Sequence, residues 1–401
     1  MPDETMQGFV QQKRKAKSVK IFSKAYLQNK LFQEQALAVN PMGAYPDGTN
    51  AGTFPQENGD VLVRLKVPGG KTVSLDISVS NYVSTKVDLH PISEDVFEGT
   101  IAYDPKLNGP ANVVLKVNGA QVLTPDLPVI WTDNRPQNNI ELPERGGEYL
   151  MERNVPHGRM VREMIASKVT GNTERCMVYL PPDYQESGPA LPVLYLLHGG
   201  GDNELMWDAV GKMSRILDNL WADKKAVPFI TVMMNGMIRA GGRIGTPVDK
   251  TFESMLLEDT IPFVENCYHV RTDKWNRGIA GLSMGAYMSC DIGFAHPEMF
   301  GSIGTFTASM SQNPGFATYE RPYPKTLAAG REAFAANYKL YWRSTTPAEN
   351  HPEFFAADDE LLRKAGIYEC ACHHRVLYAP EVSKWSSWRR GLYDFAQLIF
   401  Q

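Results

Sequence analysis

The residues best suited to chemistry are Gly281-Leu282-Ser283-Met284-Gly285, a Gly-x-Ser-x-Gly spacing centred on serine. A serine hydroxyl is a poor nucleophile at neutral pH. It needs a base to take its proton, an acid to orient that base, and N–H donors for the developing oxyanion. The spacing implies a sharp strand-to-helix turn that lifts the hydroxyl above a sheet. Glycines flank the serine because a Cβ at either position would collide with the neighbouring strand or helix. Donors are supplied by Leu197-His198-Gly199-Gly200-Gly201, which follows an apolar run directly. The N–H near Gly200 and that of Met284, just after the serine, would form the oxyanion hole. His198 reads as a residue that holds this loop rather than as the base.

These residues must be positioned by strands and helices in alternation. Leu191–Leu197 is a near-continuous apolar run, as expected for a parallel strand buried on both faces, and 229–234 and 303–308 read similarly. Between and after them lie helical patterns at 213–223, 251–268, 283–295, 353–365 and 385–400. Such alternation predicts a doubly wound, mostly parallel α/β sheet over about 150–401, with its site outside the carboxyl ends of the strands. Topology then puts Trp207, Asn235 and Gly236 at the cleft. It makes the polar loop 237–250 a cover whose Arg239 or Arg243 would meet an acidic substrate group or stay solvated.

Ahead of this segment the pattern changes. Short alternating strands at 61–67, 73–79, 96–103 and 111–117, separated by turns such as Pro-Gly-Gly and Asn-Gly, predict a small β-sandwich over 59–135. Residues 40–58 and 136–147 read as linkers. The first thirty residues interleave Lys13, Arg14, Lys15, Lys17, Lys20 and Lys24 with apolar positions, which predicts an extension docked on its own or a neighbouring subunit, with 1–58 as extension and linker.

Bulk properties exclude several roles. With 401 residues and a net charge of −4, the chain is expected to bind neither nucleic acid nor a membrane surface. No apolar run approaches the ~20 residues that span a bilayer. Met1-Pro-Asp-Glu-Thr lacks the basic and apolar regions of a signal peptide, and five cysteines are an odd number. The expectation is a cytoplasmic, thiol-reduced protein, although secretion is compatible with the sequence. Cys370, Cys372 and His374 would share a strand face. Three ligands from one strand make poor tetrahedral geometry, so neither a metal nor another cofactor is expected.

Several motifs in order carry a resemblance. Tyr179-Leu-Pro-Pro-Asp-Tyr, Leu194-Tyr-Leu-Leu-His-Gly-Gly-Gly and Gly281-Leu-Ser-Met-Gly resemble the esterase D / carbohydrate esterase family 1 group. So do Val155-Pro-His-Gly, 252–259, His296-Pro-Glu-Met-Phe and Trp385-Ser-Ser-Trp-Arg-Arg. The resemblance covers about 150–401. It implies an α/β-hydrolase fold and a serine esterase acting on feruloyl or acetyl esters, with small-molecule or oligosaccharide esters as partners. It also fits an immunoglobulin-like β-sandwich domain in front; a homo-oligomer is compatible with all of this.

The chain departs from the family at its last motif. Members end in His-x-Trp-x-x-Trp-Arg, whose histidine is the base; aligning on Trp385, Trp388 and Arg389 puts Ser383 at that position. Counting back from Gly366-Ile367 places Glu349 where the family has its acid. His351, two residues on, is the replacement candidate for the base. His373 and His374 fall at the amino end of the sheet, and His90, His157, His269 and His296 read as structural. Besides a serine esterase, the sequence therefore admits a non-hydrolytic or impaired homologue that binds an ester or glycan, and an acyltransferase.

Overall fold

The computed structural model describes residues 19–29, 31–32, 50–80, 82–240, 243–244, 250–311, 320–347, 352–379 and 384–401. Its first part is all-β: β1 (Gly52–Pro55), β2 (Val61–Lys66), β3 (Val73–Ser78), β4 (Ser84–Pro91), β5 (Val96–Ile101), β6 (Gly109–Val117), β7 (Ala120–Val122), β8 (Val129–Thr132) and β9 (Arg135–Leu142). Alternation drives it. In β2 and β3 every second residue is buried, and Val63, Leu65, Leu75 and Ile77 meet Leu115 and Ile140 in one core. The strands run β1-β2-β5-β4-β3-β6-β9-β8, with β7 beside β6. β4 pairs with β3 along Ser84–Leu89 and with β5 at His90–Pro91, so the sheet turns a corner there and encloses that core.

The expected linker at 136–147 is largely strand β9 instead. Its polar residues had disguised it, and each has a partner. Asn138, fully buried, donates to the carbonyls of Thr124 (2.9 Å) and Leu127 (3.1 Å) and accepts from Thr124 N–H (3.0 Å). The other expected linker, 40–58, ends in strand β1. Of the basic N-terminal extension, 1–18 lie outside the described residues. The part beyond docks on its own chain, with Phe22, Tyr26 and Leu27 buried and the N–H of Ile21 donating to Glu57 O (2.7 Å).

The second part holds β10 (Arg159–Ala166), β11 (Thr173–Leu180), β12 (Val193–Leu197), β13 (Ile230–Met234), the hairpin β14 (Arg239–Ala240) and β15 (Arg243–Ile244), β16 (Arg277–Leu282), β17 (Ser302–Phe306), β18 (Leu340–Thr345) and β19 (His373–Leu377). The main sheet has the order β10-β11-β13-β12-β16-β17-β18-β19. β10, β11 and the β11–β13 pair are antiparallel, and the remainder is parallel. Five helices concern the site: α1 (Met213–Ala222), α2 (251–267, with a π-helical stretch at Met255–Thr260), α3 (Met284–Ala295), α4 (Pro352–Lys364) and α5 (Lys384–Ala396).

β12 shows why its sequence is apolar throughout. Val193, Tyr195 and Leu197 enter a core shared with α2 and α3, whereas Leu194 and Leu196 enter another shared with α1 and α5. Both faces are covered by helices, as in a doubly wound sheet. Among the described residues no helix is long and apolar enough to cross a membrane.

The two parts meet along β9 and α5. Arg389, fully buried, makes a bidentate pair with Glu141 on β9 (2.6 and 2.8 Å), and its Nε donates to Val210 O (3.0 Å). Ser386 donates to Glu144, which also accepts from Tyr149 (3.1 Å). Charges removed from water need this degree of pairing, because a buried ion without its partner costs several kcal/mol.

Candidate functional site

Strand β16 ends at Leu282, α3 begins at Met284, and Ser283 between them has φ 49° and ψ −118°. A positive φ is strained for a residue with a Cβ, and such strain persists only when the surroundings over-determine it. They do so here. Ser283 N–H donates to Phe306 O (3.1 Å), and Ser283 O accepts from Ala286 (3.0 Å) and Tyr287 (3.1 Å). A Cβ on Gly281 would lie 2.5 Å from the Gly285 carbonyl carbon, and one on Gly285 would lie 2.5 Å from His198 O. Both flanking glycines are therefore steric requirements of the turn.

The glycine loop after β12 lies beside this turn. A Cβ added to Gly199 would stand 3.6 Å from both Ser283 Cβ and Asp202 Oδ2, and one on Gly200 would stand 4.0 Å from Met284 Cβ. Met284 is the first residue of α3, so helix geometry gives its N–H no partner within the helix. The Gly200 and Met284 backbones thus flank the space in front of Ser283, the arrangement an oxyanion requires.

His198 holds the loop. Gly236 N–H donates to its Nε2 (2.8 Å), which leaves the proton on Nδ1, and Nδ1–H donates to Gly199 O (2.7 Å). Burial lowers its basicity to a pKa of about 4. With both nitrogens committed to backbone, this imidazole is no base for Ser283. Asn235, half-buried at the end of β13 beside this support, accepts from Met237 N–H (2.8 Å). Trp207 is likewise a support. It is 1% exposed, donates to Leu197 O (2.8 Å) and packs against Trp385 (5.9 Å between centroids).

Ser283 opens into a cleft of about 250 Å³. One wall carries Gly199, Gly200, Leu282, Lys384, Trp385 and Trp388. The opposite wall comes from the all-β part, with Ser78, Ser80, Asn112, Thr132 and Asp133. The residues of this second wall were not singled out from the sequence, where short polar stretches of a distant segment carry no motif. Thr132 Oγ1 donates to Asp202 Oδ1 (2.7 Å), and Asn134 N–H donates to Gly201 O (3.0 Å). Burial, with the charge of Asp133 adding and the Thr132 bond opposing, pushes the Asp202 carboxyl up to about 7. Asp202 directly follows the glycine run, which is the signal that could have found it.

The other predicted residues fall elsewhere. Glu349, His351 and Ser383 lie outside the described residues. Arg239 and Arg243 sit in the β14–β15 hairpin, and their side chains lie outside the description. His373 and His374 start β19, at the amino end of the sheet, and His374 stacks on Trp342. Cys370 and Cys372 are buried with their sulfurs 2.6 Å apart, and among the described residues no group of three His, Cys, Asp or Glu side chains forms a metal site.

A mostly parallel sheet with a strained serine between strand and helix, and a glycine loop beside it, defines a protein of the α/β-hydrolase class. Residues 167–369 match the model of the Esterase family ("Putative esterase"), and the chain belongs to that family. The chain is 31% identical over 357 residues to an endo-1,4-beta-xylanase/feruloyl esterase of Xylanibacter ruminicola, covering 87% of this chain and 46% of that protein. It thus spans less than half the length of this curated relative. Among solved structures, a CE1 ferulic acid esterase of Anaeromyces mucronatus in complex with ferulic acid aligns with a TM-score of 0.53 and 21% identity, over 63% of this chain and 95% of that one. An enterobactin esterase of Shigella flexneri aligns with a TM-score of 0.60 and 15% identity, over 84% of this chain and 92% of that one. At these identities the structural likeness is one of fold.

Proposed function

We propose that this chain is a carboxylic ester hydrolase that releases feruloyl or acetyl groups from carbohydrate through a seryl-ester intermediate. The observation that carries the reading is Ser283, held at positive φ between β16 and α3, beside the glycine loop and open to a cleft. In this reading Ser283 Oγ attacks the ester carbonyl while the N–H groups of Gly200 and Met284 stabilise the oxyanion. The alcohol leaves with a proton, and water then cleaves the seryl ester. His351 takes and returns the proton and Glu349 orients it, because Ser383, at the family's histidine position, has no basic nitrogen. The matched xylanase/feruloyl esterase and ferulic acid esterase support the substrate class. The first nine strands act as an immunoglobulin-like unit fixed to the hydrolase.

Initial rates on methyl ferulate and a small acetyl ester, for this chain and Ser383→His, test the proposal. Ordinary turnover by the parent with no gain from the histidine supports His351 as base. A near-inert parent restored by orders of magnitude would replace His351 by a scaffold that lacks its base. Inertness of both forms would overturn the hydrolase reading.

A further inference from the structure

The N–H of Gly200 can meet an oxyanion only if the peptide that carries it is held in one orientation. That peptide lies in a run of three glycines, Gly199 to Gly201, whose backbone is the most permissive a chain can have. Because a peptide is planar and trans, the Gly200 N–H points opposite to the Gly199 carbonyl, so whatever holds Gly199 O aims that N–H. Two donors hold it: Nδ1–H of His198 (2.7 Å) and the N–H of Asp202 (3.3 Å). His198 belongs to the hydrolase part. Asp202 is fixed from the other part of the chain, where the buried Thr132 donates to its Oδ1 (2.7 Å).

The group that reaches across is the tip of the β8–β9 hairpin. Thr132 pairs with Arg135, which leaves a two-residue turn, Asp133-Asn134, with both residues at positive φ (51° and 60°). Turns of this kind match the twist of their flanking strands. The turn is seated on Gly201. Asn134 N–H donates to Gly201 O (3.0 Å), and a Cβ on Gly201 would lie 3.0 Å from Asp133 Cα and 3.5 Å from Asn134 N. The hairpin thus bonds both residues that follow Gly200.

We infer that Thr132 and Asn134 are positioning residues for ester cleavage: through Asp202 and Gly201, the hairpin tip of the all-β part fixes the Gly200 N–H that receives the oxyanion. Turnover at Ser283 then depends on a part of the chain that has no share in the nucleophile's own turn. The inference rests on the esterase reading above and deepens it, by naming what holds one of the two oxyanion donors. A donor displaced by about 1 Å can cost a large factor in rate while leaving substrate binding nearly untouched.

The test separates kcat from KM. Thr132→Val keeps the shape and strand preference of threonine but cannot donate to Asp202, whereas Thr132→Ser keeps the donor. Asp202→Ala removes the same bond from its other end. The variants are made in this chain and in its Ser383→His form, and rates are measured on methyl ferulate and p-nitrophenyl acetate with melting temperatures alongside. Thr132→Val and Asp202→Ala should lower kcat about tenfold on both esters with KM little changed, less than the roughly 10²–10³-fold cost of deleting an oxyanion donor outright. Thr132→Ser should recover most of the parent kcat. An unchanged kcat in Thr132→Val, an equal fall in Thr132→Ser, or a rise in KM alone would overturn the inference and leave the esterase reading intact. No turnover by either form before these substitutions would overturn both.

Discussion

The two walls of the cleft are held in different ways. The wall bearing Ser283 is fixed by backbone: the serine's N–H and carbonyl are both bonded, Gly281 and Gly285 touch main chain, and His198 spends both nitrogens on the loop. The facing wall is tied on mainly by side chains that cross between distant segments, Thr132 to Asp202 and Glu141 to Arg389, with one backbone bond, Asn134 N–H to Gly201 O. Chemistry that needs sub-ångström placement rests on the first kind of support, because backbone contacts tolerate almost no substitution. On the second, a side chain can change without touching the backbone that holds the nucleophile.

The comparison is broken most severely at the serine. Ser283→Ala should lower turnover of any ester substrate by roughly 10³-fold or more, with little change in melting temperature. A small kinetic loss would mean that the backbone-held wall is not the reacting one.

Next is the lock between the walls. Arg389→Ala removes the bidentate partner of the buried Glu141 and should destabilise the chain by about 3–5 kcal/mol in denaturant melts. Replacing both partners by apolar residues of similar volume should cost much less. Equal costs would show that the pair contributes through packing rather than charge.

A smaller effect is expected at Gly201, with φ 81° and its would-be Cβ 3.0 Å from Asp133. Gly201→Ala should cost about 1–2 kcal/mol from the left-handed backbone alone. It should also displace the Asp133 turn, which lines the cleft, and so raise KM for ester substrates in initial-rate assays.

The gentlest probe is pH. Asp202 keeps its proton up to about pH 7 in the folded chain, against an ordinary carboxyl value of 3.8. The folded state therefore holds an extra proton between those values. The associated stability is present below about pH 4 and is lost as pH rises to about 7. Asp202→Asn cannot titrate, so its stability relative to the parent should rise across that window in melts at several pH values. A parallel pH dependence would show that Asp202 titrates normally.

What the sequence made legible follows the same division. A strained turn that demands glycine on both sides leaves a fixed local spacing, so the region of Ser283 could be read from five residues. The parallel strands could be read because β12 is apolar on both faces. Strand β9 could not, since Asn138, Asn139 and Glu141 look like linker residues until their partners are known. Glu141 and Arg389 are 248 positions apart. Trp207 illustrates a finer limit. Topology places a residue near a strand's carboxyl end, but packing decides whether it faces the cleft or, as with the buried Trp207, supports the loop behind it.

The most direct test of the central claim is covalent capture. The chain is mixed with an activated p-nitrophenyl ester of ferulic acid, quenched in acid, and examined by intact-protein and peptide mass spectrometry. One acyl group on the peptide containing Ser283, absent from Ser283→Ala, is the predicted result. No adduct, or an adduct on another residue that persists in Ser283→Ala, would contradict the assignment of Ser283 as the nucleophile.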